Sequence, residues 1–551
     1  MAEAPGSLPA PIGAIWRWVD RNILDLGRQM RLSYLPPLMV YMAAGISGLT
    51  AIVGTFFVKE YLGLSAHFLA ALGFWATLPW ALKMPLGHIV DLIWRHKAGL
   101  VYLGAGLIAV SVLIMIGLLD YPAALRAVMP AGAWFVLSTL LAPIGYVLQD
   151  TVADAMTVEA VPRVDADGRR LTDEERRLGQ ITMQTLGRVA IIGGGVLVSV
   201  ANVMLFRGVG SMTTVQKAAA YLQVYEWALI IPAISVLGVV LASVLRRRAA
   251  RRLAATGLSR TQIRVLLDSH VERPEVNWWI LGGGHVFVAF SILLGLSDVP
   301  WNEEIIFGGS MVIVLILIWR LTRELEREAR NVLIGTALLI FVFRAMPTPG
   351  VGSTWWMIDT LGFDQQFLSV LALISAALTL AGLFVFRRFM AERSIVYVIG
   401  FLTVTGTLLA LPPLGMFYGL HEWTASLTHG VVDAHFIALV DTALESPLGQ
   451  IAMVPMLAWI ANSAPDRLKA TYFAVMASFT NLALSLSQLG TKYLNGIFEV
   501  TRQVTDPSNG TILVPANYGE LGHLYLVVIA IGFSLPMLTI IFVKATRFRS
   551  A

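Results

Sequence analysis

Apolar runs of roughly 20 residues, the length an α-helix needs to cross the hydrocarbon core of a bilayer, recur along almost the whole chain. They fall near 37–58, 63–86, 98–119, 128–149, 183–206, 222–245, 277–297, 303–320, 330–347, 365–386, 394–412, 433–461, 468–496 and 520–543. Inside lipid every backbone N–H and C=O must be satisfied within its own segment, so such runs fold as helices. Hydrophobic residues make up 57% of the chain and charged residues 14%, against about 45–50% and 25% in soluble domains. The expected class is an all-α polytopic membrane protein with about fourteen spans.

Charge tests that count, because one missed or invented helix would exchange the two sides for every later loop. With the N-terminus inside, about 31 of the 40 Lys and Arg fall on the cytoplasmic side. The clusters Arg95/Lys97, Arg163 to Arg177, Arg246 to Arg252, Arg320 to Arg330, Arg387/Arg388 and Lys544 to Arg549 share one face. Both termini are expected in the cytoplasm, with a bacterial inner membrane as the location. The net charge of +5 is accounted for by these loops and not by a nucleic-acid partner. The first residues lack the basic region, apolar core and cleavage site of a secretory signal, so the first apolar helix is expected to remain as a span.

The runs group as six, two, six. The expected divisions are an N-terminal amphipathic segment (1–35), a six-helix bundle (36–252), a basic linker with two inserted helices (253–329) and a second six-helix bundle (330–551). In the first segment Ile15, Trp18, Val19, Ile23, Leu26 and Met30 share one helical face, which reads either as a membrane-surface helix or as a simple helical extension. The inserted helices carry few charges apart from His285, Glu303 and Glu304. They are expected to pack outside the twelve-helix body or to support a homodimer or a membrane-complex partner.

Ionisable residues within spans are costly and normally face a cavity or a partner. Lys83, Asp150, Asp154, Arg188, Arg344, Asp441 and Glu445 lie in such positions. Asp150 and Asp154 are four apart, so they share a helical face, as do Asp441 and Glu445. Two carboxylates one turn apart resist being ionised together, which suits a proton carrier; a structural pairing with Arg188 is the competing reading. Glu159 sits near the membrane edge, where a salt bridge to the Arg163 loop would explain it.

Cysteine is absent, which removes disulfides and thiol chemistry. Neither a phosphate loop nor an HExxH sequence is present, and no metal, cofactor or enzyme activity is expected. Gly104 to Ala109 satisfies a dinucleotide fingerprint on paper but has no preceding strand, so it reads as helix packing. Gly193 to Gly195 and Gly282 to Gly284 read as close helix contacts or swivels. His421, Glu422, His429, Asp433 and His435 read as an exposed polar loop.

Two six-helix halves joined by a basic linker resemble the major-facilitator superfamily, whose substrate site lies between the halves near the midplane. Gly87, Asp91, Arg95 and Lys97 are similar to its signature loop, which implies a gate in which the glycine permits close approach and the aspartate latches one face. More narrowly, Pro79, Trp80, Lys83, Gly87 and Asp91 resemble the P-W-x-x-K-P-x-x-G-x-x-S-D segment of the folate-biopterin transporter family, with Met84 and Val90 as departures. Asp150, Asp154 and Glu159 resemble its D-x-x-x-D-x-x-x-x-E segment. Residues 341–350 and 361–368 resemble its F-R-F-M-P and L-G-F-x-x-x-F-L segments, and Asp441 with Leu448 to Ala452, including Gln450, resembles its D-x(6)-L-G-Q-I-A run.

The resemblance implies a proton-coupled secondary transporter of a pterin, folate or other small organic anion, with Lys83, Asp150, Asp154, Arg188, Arg344, Asp441, Glu445 and Gln450 in the cavity and Gly87, Asp91 and Arg95 at the gate. A carboxylate could accept the two-donor edge of a pterin ring and an arginine could hold a carboxylate tail. The alternative expectation is a non-transporting assembly or pigment-delivery factor built on the same scaffold.

Overall fold

The computed structural model describes Asp20 and residues 24–548, apart from 63, 162–170, 256, 268–275, 296, 298, 324–325, 387–388, 390–391, 450, 452–468, 506–510 and 547. Ile15, Trp18, Val19 and Ile23 of the expected amphipathic segment therefore lie outside the described residues, and Asp25–Arg28 is helical.

Helices α1 (Leu35–Ile46) and α2 (Ala51–Tyr61) form one bent span, joined by a 3-10 turn at Ser47–Thr50. The paired prolines Pro36 and Pro37 open α1, where a missing N–H costs nothing. The second span is broken likewise: α3 (Ala66–Thr77) and α4 (Lys83–Leu92) flank a 3-10 turn, Leu78–Leu82, that begins at Pro79. Then follow α5 (Ala98–Asp120), α6 (Ala131–Ala160), α7 (Asp173–Leu205), α8 (Thr214–Ala228) and α9 (Ile230–Ala255). The inserted pair is α10 (Trp278–Gly295) and α11 (Asn302–Thr322).

The C-terminal half holds α12 (Arg327–Arg344), α13 (Val351–Asp359), α14 (Gln365–Val385), α15 (Ile395–Leu409), α16 (Leu411–Phe417), α17 (Ala434–Glu445), α18 (Lys469–Ile497) and α19 (Leu521–Ala545). Side-chain caps set many of the helix starts. Thr172 and Glu175 form a reciprocal capping box on α7, and Asp364 accepts the Phe367 N–H at the head of α14. A short antiparallel hairpin, β1 (Val504–Thr505) with β2 (Ile512–Val514), lies between α18 and α19.

Among the described residues ten helices are long and apolar enough to cross a membrane. The expected runs near 63–86, 330–347, 433–461 and 468–496 are not among them, for reasons visible in their residues. The first is interrupted at Leu78–Leu82, and α12 begins in charged residues and ends on Arg344. The third is interrupted at Ser446–Leu448, and α18 is rich in Ser, Thr, Asn and Gln. These are the segments that carry Lys83, Arg344, Asp441 and the polar face of α18, and residues 450 and 452–468 lie outside the described residues.

Two seams join the halves. Along the first, α3–α4 runs beside α18: His67 Nδ1 meets the Lys492 carbonyl at 3.0 Å and Thr77 Oγ1 meets Ser485 Oγ at 3.1 Å. Asn481 Nδ2 donates to the Trp80 carbonyl at 3.1 Å, and the Met84 N–H donates to Ser478 Oγ at 3.2 Å. Along the second, α7 lies beside α14, and the Gly208 N–H donates to Gln366 Oε1 at 3.0 Å.

Small residues permit the closest crossings. A Cβ on Gly194 would stand 2.8 Å from the Met42 carbonyl of α1, and one on Gly104 would stand 2.6 Å from the Gly145 carbonyl of α6. The dinucleotide-like glycine is thus a helix contact. Of the three consecutive glycines only Gly194 is tight: nothing lies within 4 Å of a Cβ at Gly193, and at Gly195 the nearest atom, Ala376 Cβ, is 3.9 Å away. Gly193→Ala should therefore raise the melting temperature in detergent, by the roughly 0.5–1 kcal/mol that separates Gly from Ala in a helix. Gly194→Ala should lower it, at about 1–3 kcal/mol for overpacking; equal responses would contradict this reading of the α1–α7 crossing.

Candidate functional site

Lys83 opens α4, just past the break in the second span, and that break turns its side chain towards α6. Its Nζ lies 2.6 Å from Asp150 Oδ2 and 2.7 Å from Asp154 Oδ2. The i, i+4 spacing on α6 makes this chelation possible, because both carboxylates present to one side. Tyr41 of α1 donates its hydroxyl hydrogen to Asp154 Oδ1. One ammonium is thus held by two carboxylates; two spans are tied by charge and a third by the Tyr41 hydroxyl. In a low-dielectric interior a charge is tolerated only with this kind of compensation.

Arg188 of α7 lies within electrostatic reach of Asp150 and Tyr41. The nearest partner of the carboxylate pair is Lys83, so pairing with Arg188 is not the principal contact. Arg188 also acts on Arg344 of α12, across the boundary between the halves. Their chain neighbours Val189 and Phe343 pack in one apolar cluster with Leu383, Val398 and Leu402. Two guanidiniums, one from each half, are thus near enough to interact electrostatically.

Asp441 and Glu445 are one turn apart on α17 and interact with each other. Among the described residues the buried Asp441 Oδ1 has no hydrogen-bond partner, and Glu445 is exposed. Among the described residues no ion pair joins them to the Lys83 cluster, so the expected single constellation resolves into a cationic-acidic cluster around Lys83 and a separate acidic pair. Gln450 lies outside the described residues.

At the expected gate, Arg95 is exposed in the turn Trp94–His96 and Asp91 is half-buried near the end of α4, within electrostatic reach of His88. Nothing lies within 4 Å of a Cβ at Gly87, so close helix approach is not what this glycine provides here. The loop is tied down by Lys97, which is buried, stacks 3.7 Å over the Trp94 ring and pairs with Glu159 at 2.7 Å. Glu159 is thus paired with Lys97, and the Arg163 loop expected as its partner lies outside the described residues.

Tyr41 and the polar face of α18 were missed from the sequence. The span that opens with α12 is interrupted after Arg344 by Met346-Pro-Thr-Pro-Gly350, with Gly350 at φ +75°. Three α18 residues four apart restore the hydrogen bonds lost there. Ser487 donates to the Met346 carbonyl, Thr491 accepts the Thr348 N–H and Asn495 donates to the Pro349 carbonyl. A cavity of about 300 Å³ adjoins the break, lined by residues that include Ala70, Thr348, Thr354, Gln488 and Thr491. The signal was available as a small polar residue at every fourth position.

Residues 307–543 match the sequence model of the BT1 family. A "Folate-biopterin transporter" from Synechocystis sp. (strain ATCC 27184 / PCC 6803 / Kazusa) is 24% identical over 479 residues, covering 86% of this chain and 76% of that protein. A "Putative folate transporter 2" from Plasmodium berghei (strain Anka) is 26% identical over 163 residues, 30% of this chain and 34% of that one.

In three dimensions the chain is similar to a crystal structure of a peptide transporter, POT, in complex with sulfate. The TM-score is 0.58 and the identity 15%, over 94% of this chain and 95% of the other. A nucleoside transporter, NupG, gives 0.51 and 13% over 92% and 99%. These structural likenesses establish the fold, an all-α membrane architecture of the major-facilitator kind. The sequence matches state what the chain is similar to: the BT1 family model over residues 307–543 and a folate-biopterin transporter over most of its length.

Proposed function

We propose that this protein is a proton-coupled secondary transporter that moves a folate- or pterin-like organic anion by alternating access between its two halves. Its fourteen spans would place both termini on the cytoplasmic side of a bacterial inner membrane. The observation that carries the reading is the juxtaposition of Lys83, held by Asp150 and Asp154, with Arg188 and Arg344 from opposite halves. The names of the sequence relatives point to the same solute class.

The chemistry follows from charge balance. Two arginines facing one another repel, and an anionic solute between them relieves that repulsion while bridging the halves, which is what closure around a solute requires. A proton placed on Asp154 weakens its hold on Lys83 and leaves Asp150 as the remaining counter-ion. The cluster then has two arrangements, and proton and solute each bias the choice between them.

Proteoliposomes loaded at neutral pH and diluted into acidic medium should accumulate labelled folate or biopterin faster than those without a gradient. Asp154→Asn should abolish the gradient dependence. Arg344→Gln should raise KM by roughly 10- to 100-fold, the equivalent of about 1.5–3 kcal/mol for a hydrogen bond to a charged group. Gradient-independent, mutation-insensitive uptake would remove the coupling, and absence of uptake for every anion tried would favour the assembly-factor reading.

The ion cluster gives a separate stability test. Lys83→Met leaves two carboxylates uncompensated and should destabilise by about 3–5 kcal/mol. Combining it with Asp150→Asn and Asp154→Asn should recover most of that loss in a thermal melt without restoring transport. Full recovery of uptake in the triple variant would exclude a working role for the cluster.

A further inference from the structure

We propose that the cavity beside the break after α12 is a subsite for the uncharged, hydrogen-bonding ring of the solute, with Arg344 taking its anionic end. This rests on the folate- or pterin-like reading and adds to it which part of the molecule sits where. The cavity, about 300 Å³, lies between the halves: Leu69 and Ala70 of α3 line it together with Thr348 and Val351 of the break and α13, and with Gln488 of α18. None of its lining residues is charged.

Most polar groups of the lining are already engaged. Thr491 Oγ1 accepts the Thr348 N–H at 3.0 Å and lies 3.4 Å from the Thr348 hydroxyl, and Ser353 bonds the Tyr525 hydroxyl. Two are not: among the described residues neither the Gln488 amide nor the Thr354 hydroxyl takes part in a hydrogen bond, and both side chains are half-buried. A polar group in such a place calls for a partner from outside the chain. Gly73 of α3 makes room for the amide, since a Cβ there would stand 2.5 Å from Gln488 Oε1.

A carboxamide offers a C=O acceptor beside an N–H donor, the complement of the N–H/C=O edge of a ring lactam such as a pterin carries. Leu69, Ala70 and Val351 supply apolar surface for a flat ring. A carboxylate would enter without counter-charge, which burial penalises. Small-molecule pockets run from roughly 300 to 1,000 Å³, so this cavity takes a bicyclic ring and leaves the tail outside. Arg344 ends α12 four residues before Thr348. Along the chain the two are therefore at most about 14 Å apart, within the span of a ring joined to an anionic tail.

Three probes separate the parts of the solute: biopterin has the ring without an anionic tail, p-aminobenzoylglutamate has the tail without the ring, and folate has both. In titration calorimetry on the purified full chain, Gln488→Leu should weaken biopterin and folate by about 10- to 100-fold, the cost of an unmade hydrogen bond in a buried site. It should leave p-aminobenzoylglutamate unchanged. Arg344→Gln should reverse the order, with p-aminobenzoylglutamate losing most and biopterin least.

If Gln488→Leu weakens all three probes alike, or none, the ring subsite is overturned while the transport reading stands on folate binding to the wild type. A wild type that binds none of the three removes both. If Gln488→Leu does not fold, Thr354→Cys decides, because the chain has no other thiol. Biopterin should slow its reaction with a methanethiosulfonate reagent several-fold and p-aminobenzoylglutamate should not; equal rates with and without biopterin overturn the proposal.

Discussion

Charge compensation in a low-dielectric interior governs this structure. Lys83 cannot stand in a membrane-spanning bundle without counter-charge, and the i, i+4 carboxylates of α6 supply it at 2.6 and 2.7 Å. That requirement fixes the rotation of α4 after its proline-initiated turn and the face α6 presents, and Tyr41 joins α1 to the same point. The remaining N-terminal helices settle by apolar packing and by glycine crossings such as Gly45–Gly194 and Gly104–Gly145. Packing alone would tolerate several rotations of each helix; the ion cluster selects one.

The same rule acts at three depths. Near the basic loops, Lys97 is buried against Trp94 and paired with Glu159, which anchors the turn after α4 to the end of α6. Towards the other end, Lys492 is held between Glu303 and Glu304. Each cluster joins elements distant in sequence, and each sits where a span is broken, ends or meets the inserted pair. The uncharged break after α12 is managed by neutral donors and acceptors on α18.

Much of the fold was legible because hydropathy is a property of long segments. Ten expected spans coincide with helices of sufficient length and apolarity. The four that do not coincide with such helices are broken by turns or carry charged and polar residues, and a length-averaged signal dilutes there. Spacing also revealed the Asp150/Asp154 pair, since one turn of helix follows from sequence alone. What could not be read was which cation would fill that pair. Lys83 and Arg188 were both buried candidates on different spans, and only the rotation of α4 distinguishes them. Glycine spacing likewise could not separate Gly194, which is tight, from Gly193 or Gly87, which are open. Tyr41 was hidden for a related reason, because one tyrosine in an apolar run looks like core until its hydroxyl partner is known.

The central claim is that the binding of a solute anion and of a proton are coupled through one shared cluster of buried charge. It is tested most directly by following pH with an indicator dye as folate is added to purified protein in weakly buffered detergent. The account predicts a folate-dependent proton exchange that saturates with binding and disappears when Asp150→Asn and Asp154→Asn are combined. Folate binding without proton exchange in the wild type, or an identical exchange in the doubly substituted protein, would contradict it.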